Sequence, residues 1–381
     1  AGLFIFPFFL FSATAGQLAD KYEKTWLIHR IKFAEIILML LAIAAFTTSS
    51  VSLGLLVLFL LGTQSTFFGP LKYGILPQHL DEHELIGGNG LIETGTFLSI
   101  LLGTLFGGLL ILLDNGVLYV SMALLGLSIA GFIASLYIPK ANPPAPDLKL
   151  NPNFLKETFN IISISGKNKH VFSAILGISW FWFVGTVFLT QFPTLAKDVF
   201  YANEQVSNLF IAIFTIGIMV GSLACNKLTK GDITAKYVPS AAIAITIASL
   251  ALVALTTTMT MPKPPGFNPA LENTLYSFSE FLSLERSPYI LISLFTIAAF
   301  GGLYAVPLFA LVQHLAEREQ LSRTIAGNNI INALFMVAAS LMIVFMLQAG
   351  LNVLDVFTTV AILNALVALF IYKRLPEELT R

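Results

Sequence analysis

The sequence predicts an all-α membrane protein made of two parallel helical halves. Three observations carry that expectation: a shortage of charge, a series of long apolar runs, and short motifs that recur in the same order in the second half. Of the 381 residues, 56% are hydrophobic and 11% charged, with mean hydropathy +0.83. Soluble domains carry about 25% charged residues. This chain has too little polar surface to face water on all sides and needs lipid around it.

An apolar run of about 20 residues, rising ~1.5 Å per residue, crosses the hydrocarbon core as a helix. Eleven such runs are read here, at 1–18, 27–47, 51–71, 88–113, 116–138, 171–195, 206–228, 237–260, 289–312, 327–349 and 352–373. They are continuous and lack the short alternating segments of a membrane barrel. The first run starts at Ala1 without a basic flank, so it reads as a helix cut near its start and not as a signal peptide. When the loops are assigned alternately to two sides, all but three of the 21 Lys and Arg residues gather on the side of the loop at 20–26; Lys197, Lys263 and Arg286 are the exceptions. The positive-inside rule makes that side cytoplasmic, with the carboxyl terminus inside. An odd number of spans then puts the first residue outside, and one further helix upstream brings the total to twelve.

The repeat is carried by three pairs. Gly16-Gln17-Leu18-Ala19-Asp20 recurs as Gly221-Ser222-Leu223-Ala224-Cys225, Gln78-His79-Leu80 as Gln313-His314-Leu315, and Ile86-Gly87-Gly88-Asn89 as Ile325-Ala326-Gly327-Asn328. The spacing lengthens between the first pair and the second, and the polar, proline-rich stretch 262–287 supplies nearly that length. Such internal symmetry marks two parallel halves. The expected division is 1–138 for the first half, 139–170 for a cytoplasmic linker, 171–373 for the second half and 374–381 for a cytoplasmic tail. Asn142-Pro143-Pro144-Ala145-Pro146 makes the linker stiff. Phe154, Leu155, Phe159, Ile161 and Ile162, interspersed with Lys156, Glu157 and Asn160, predict a short interfacial helix. Leu271, Leu275, Phe278 and Leu282 predict a second one in the outer stretch.

Several classes are excluded. Zero net charge argues against nucleic acid as a partner, and the single cysteine, Cys225, leaves no internal disulfide or cysteine-built metal site. There is no phosphate-cradling Walker loop and no H-E-x-x-H motif. His79 and His83 are four apart, but solvated loop histidines are the default, so no metal and no cofactor is expected. No histidine is followed five positions later by aspartate, so the H-x-x-x-x-D motif of an acyltransferase is absent and the chain is not expected to be an enzyme.

The nine residues Gly16-Gln17-Leu18-Ala19-Asp20-Lys21-Tyr22-Glu23-Lys24 resemble the signature loop of the major facilitator superfamily, roughly G-x-L-A-D-(R/K)-x-G-(R/K). That resemblance implies the superfamily fold of two six-helix halves, here without the first helix. On their own chemistry, Gly16 permits a close helix approach. Asp20 can accept from free amides at a helix N-terminus, and Lys21 and Lys24 can hold the loop at an anionic surface. These four are the expected conformational latch. Glu23 departs from the pattern, and Cys225 replaces the acid in the second copy.

Gly69-Pro70-Leu71-Lys72-Tyr73-Gly74-Ile75-Leu76, Gly88-Asn89-Gly90-Leu91-Ile92-Glu93 and Leu101-Leu102-Gly103-Thr104 with Gly107-Gly108 resemble the bacterial lysophospholipid transporter (LplT-type) family, especially members fused to an acyltransferase and acyl-carrier-protein synthetase. The resemblance implies a secondary transporter of the bacterial inner membrane. It would move lysophospholipid, lysophosphatidylethanolamine first of all, from outer to inner leaflet by alternating access, for re-acylation by a fused or separate acyltransferase. A superfamily exporter of drugs or other solutes, and the membrane domain of a bifunctional acyltransferase, are the rival readings. Expected substrate residues are Glu93 and Lys72, with Gln64, Asn89, Gln191, Asn328 and Asn332 as neutral polar groups. A carboxylate at membrane depth needs a cavity or a partner; Lys72 can be that partner or a phosphate contact. The neutral groups serve either helix packing or a wet cavity. Glu35, three residues from Lys32, reads as a local pair. Phe67, Phe68, Trp180 and Trp182 can flank an acyl chain or fill lipid-facing surface.

Overall fold

The computed structural model describes residues 2–258, 262–267 and 274–375. These form fourteen α-helices and, among the described residues, no sheet; a single bridge joins Ala202 to Tyr276. The long helices are α1 (Gly2–Lys21), α2 (Lys24–Thr47), α3 (Val51–Gly74), α5 (Glu82–Ile111), α6 (Gly116–Ser135), α8 (Lys169–Thr194), α9 (Glu204–Thr229), α10 (Val238–Thr258), α12 (Ser287–Leu315), α13 (Leu321–Gln348) and α14 (Val353–Arg374). Three short ones lie between them: α4 (Leu76–His79), α7 (Phe154–Lys167) and α11 (Phe278–Ser283).

Ten of the long helices are long and apolar enough to cross a membrane, where eleven runs were expected. The difference is α2, whose first half carries Lys24, Arg30, Lys32 and Glu35, four charges in what is otherwise an apolar 24-residue helix.

Polar residues set the helix starts, often ahead of the apolar runs. Asp81 and Glu84 form a reciprocal capping box, so α5 begins at Glu82, six residues before the run that predicted it. Asn352 and Asp355 do the same for α14. Glu23 caps α2 by accepting from the amides of Thr25 and Trp26, and Asn203 caps α9 through the amide of Gln205. Pro193 lacks the amide that would bond Leu189, and two residues later α8 gives way to a π turn, Leu195–Val199.

The chain folds into two compact units, and each draws on both sequence halves. The first comprises Ala1–Leu85, Gly103–Leu176 and Leu311–Leu334; the second comprises Ile86–Leu102, Gly177–Ala310 and Phe335–Arg381. In the first unit α3 packs on α1 and α2, α6 on α2, and α7 on α1. Helix α7 is amphipathic as expected. It buries Ile161 and Ser165 against Gly327 of α13 and exposes Leu155 and Phe159. Glu157, one of the polar residues interspersed in it, is buried there and accepts from Asn151 and Asn160.

The second unit is held by aromatic packing. Phe188 lies 4.6 Å from Phe357 and 5.6 Å from Phe214, centroid to centroid, joining α8, α14 and α9. Phe281 of α11, fully buried, stands 5.9 Å from Phe200 and 5.7 Å from Phe210. Helix α11 therefore does more than cover surface: Phe278 and Leu282 remain exposed while Phe281 plugs the end of this aromatic cluster. Leu271, expected on the same face, lies outside the described residues. Between lipid-facing helices water supplies no driving force, so such van der Waals contacts carry the packing, each ring pair adding about 0.5–1.5 kcal/mol beyond burial.

Candidate functional site

Asp20 lies in the last turn of α1 and is fully buried. Its Oδ1 accepts from the amide of Ser322 at 2.9 Å, and its Oδ2 from the amide of Arg323 at 3.2 Å and from Arg323 Nε at 3.0 Å. The carboxylate thus occupies the first turn of α13, where free amides and the positive end of the helix dipole favour an anion. Gly16, one turn earlier, makes that approach possible. A Cβ there would lie 2.7 Å from Ala326 Cβ and 2.9 Å from Arg323 Cα.

The two lysines of the loop both lie against protein. Lys21 Nζ donates to the Leu148 carbonyl at 2.7 Å, and Lys24 is only 1% exposed. The cause is the linker, which lies across the loop and ties to it at many points. Glu23 accepts from the Ala141 amide at 2.9 Å, the Ala145 amide donates to the Asp20 carbonyl at 3.0 Å, and Gln17 exchanges two hydrogen bonds with the Asn151 backbone. Glu23, the departure from the family pattern, therefore has a structural role. Burial raises its pKa, but amide hydrogen bonds from Ala141, Trp26 and Thr25 outweigh that and hold the carboxyl below its ordinary 4.5.

The substrate candidates fall in both units. In the first unit, Gln64 Nε2 donates to Glu35 Oε2 at 2.8 Å, and Glu35 also pairs with Lys32 at 2.6 Å, so Gln64 is drawn into the local pair read from sequence. Lys72, near the end of α3, holds its Nζ 4.7 Å from the Tyr73 ring centroid. Asn328 and Asn332 are buried on α13, and Asn328 Oδ1 has no hydrogen-bond partner among the described residues.

In the second unit, Asn89 and Glu93 are one turn apart on α5 and buried at 0% and 1% exposure. There α5 crosses α9 closely enough that a Cβ on Gly90 would meet the Ser222 carbonyl at 2.7 Å. Phe97, one turn beyond Glu93, stacks on Trp182 at 6.3 Å and meets Phe181 edge-on. Gln191 on α8 is also buried, its Oε1 without a hydrogen-bond partner among the described residues. The repeat that relates Asn89 to Asn328 carries Glu93 onto Asn332, so the second copy has an amide where the first has an acid.

Trp180 serves the bundle core: its Nε1 donates to Asn364 Oδ1 at 2.7 Å, and Asn364 Nδ2 donates to the Ala242 carbonyl and Thr246 Oγ1. Sequence reasoning missed Asn364, Arg323 and Asn151. Their partners lie 184, 303 and 134 residues away, so no local pattern marks them. The described residues contain no group of His, Cys, Asp and Glu able to hold a metal ion.

Long apolar helices and a buried acid seated on a distant helix N-terminus define a helical, multi-pass membrane protein. The chain belongs to the Major Facilitator Superfamily, whose family profile matches residues 1–263. Among curated proteins it is 26% identical over 323 residues to the lysophospholipid transporter LplT of Escherichia coli O157:H7 (strain EC4115 / EHEC), across 83% of this chain and 70% of that protein. It is 27% identical over 246 residues to LplT of Shigella boydii serotype 4 (strain Sb227), across 62% and 58%. Solved structures share the fold at low identity. The transporter FucP in its outward conformation has TM-score 0.73 at 13% identity, covering 99% of this chain and 90% of that one. The proton:xylose symporter XylE has TM-score 0.71 at 12%, covering 100% and 86%.

Proposed function

We propose that this chain moves lysophospholipid, with lysophosphatidylethanolamine as first substrate, from the outer to the inner leaflet of a bacterial inner membrane by alternating access. The similarity to curated lysophospholipid transporters carries the substrate class. The hold of Asp20 on α13 supports the mechanism, because a carboxylate on a helix N-terminus is a discrete contact that one conformation makes and another breaks. The distribution of Lys and Arg supports a cytoplasmic carboxyl terminus, with residues 1–138 rocking against 171–373. In this reading Glu93, Asn89 and Gln191 with Lys72, Gln64, Asn328 and Asn332 serve the substrate, Gly16, Asp20, Lys21 and Lys24 form the latch, and an acyltransferase, fused or separate, consumes the delivered lipid.

Uptake of labelled lysophosphatidylethanolamine into spheroplasts tests this. Uptake several-fold above a vector control is expected; uptake equal to the control removes the substrate, leaving an exporter of other solutes as the superfamily alternative.

A further inference from the structure

The first unit contains a cavity of about 690 Å³ at the end where the α1–α2 loop lies, within the roughly 300–1,000 Å³ range of small-molecule pockets. Its walls come from the α3–α5 connection, the linker at 140–144, and the chain around the end of α12. Both copies of the Gln-His repeat line it. Gln78 Nε2 donates to the Asn142 carbonyl and Gln313 Nε2 to the Tyr73 carbonyl, each at 3.0 Å, so one glutamine ties α4 to the linker and the other ties α12 to α3.

Lys24 also lines this cavity, although it is almost fully buried and packs its Cε near Gly74. Its ammonium makes no hydrogen bond and no ion pair with any described residue. Asp20 and Glu23 are close enough to act on its charge, but their oxygens are taken by amides and by Arg323. A buried ammonium requires an anion or polar partner, and here the open direction is the cavity. The mouth carries charges of both signs. Lys140 and Arg318 are exposed cations. Among the acids, Asp81 is committed to the α5 cap and Glu82 faces His314 at 3.5 Å, while Glu319 stands beside Arg318 in sequence.

We propose that this cavity binds a zwitterionic phosphodiester headgroup, with its phosphate on Lys24 and Arg318 and its ammonium toward Glu319 and Glu82. A buried cation selects phosphate, and a rim of mixed sign favours a ligand that carries its own ammonium over a bare anion. The site shares Lys24 with the latch and includes none of the residues assigned to the substrate. The choice of ethanolamine as the amine rests on the lysophospholipid reading. The same chemistry is presented by a lysolipid and by its free glycerophosphodiester.

The test uses the purified full chain in phosphatidylcholine nanodiscs, titrated with glycerophosphoethanolamine while thermal unfolding is followed. A saturable rise in midpoint is expected, with inorganic phosphate and ethanolamine each at least about tenfold weaker. Lys24→Gln is expected to weaken binding by roughly tenfold and Arg318→Gln by several-fold. Competition by lysophosphatidylethanolamine assigns the site to lipid; its absence assigns it to the free diester. No saturable shift, or equal affinity in Lys24→Gln, overturns the proposal. Should Lys24→Gln fail to fold, Arg318→Gln and Lys140→Gln replace it, and wild-type affinity in both overturns it equally. Normal lysolipid uptake without a response to the diester removes this site alone; a response without uptake removes the transport reading alone.

Discussion

At Asp20 three donors converge on one buried carboxylate, and two of them are amides that no side-chain change can remove. Hydrogen bonds to a charged group contribute about 1.5–3 kcal/mol. Asp20→Asn keeps the shape but loses the charge, so the contact between α1 and α13 is expected to weaken by roughly ten- to hundredfold in population. Cysteine accessibility on the two faces reads this as a shift towards the inward-open state; unchanged labelling on both faces contradicts it. Gly16→Ala acts on the same contact by bulk. Its methyl would enter space held by Ala326 and Arg323, an overpacking that costs about 1–3 kcal/mol. Gly54→Ala is the matched control, because nothing lies within 4 Å of a Cβ there. Equal labelling and equal thermal stability in the two variants would remove the close approach as the reason for Gly16.

At the scale of elements, the linker and α11 show what could and could not be read in advance. Short helices in both stretches were legible from apolar spacing, although of the outer set only Phe278 and Leu282 fall within α11. Their partners were not. Glu23 reads from sequence only as a departure from a motif, whereas in the fold it ties the linker to the start of α2. Because its folded pKa lies below the ordinary 4.5, its contribution is fully present above that value and is lost as pH falls through the folded one. Hydrogen-exchange protection around Ala141 is therefore expected to hold from pH 7 down to the ordinary carboxylate range and to drop below it. Glu23→Gln is expected to lower protection at every pH; a variant indistinguishable from wild type at pH 7 rejects the tie. In the outer stretch, Phe281→Ala empties a fully enclosed site and is expected to cost about 3–5 kcal/mol, while Phe278→Ala, at an exposed position, costs little. Thermal unfolding of the two variants separates the plug from surface filler.

Across the whole molecule the repeat is legible in sequence and unequal in chemistry. Asp20 maps onto Cys225 and Glu93 onto Asn332, so in each pair the buried acid belongs to the first copy and its counterpart is uncharged. The helices, their order and the duplicated Gln-His pairs could be read from patterns of three to twenty residues. The exchange of α5 and α13 segments between compact units could not, since it depends on contacts made across hundreds of residues. The asymmetry has a functional consequence. If translocation uses a carboxylate at this repeated position, Glu93 must supply it, because Asn332 neither ionises nor carries a proton. Glu93→Gln preserves volume and one acceptor, so expression and the thermal midpoint are expected to stay near wild type, with lysolipid translocation in proteoliposomes reduced to background with or without an imposed proton gradient. Wild-type transport in Glu93→Gln would reduce the residue to a packing contact like its counterpart Asn332. Loss of both folding and transport, with Glu93→Asp restoring the fold but not the activity, would still assign the charge and its reach to function.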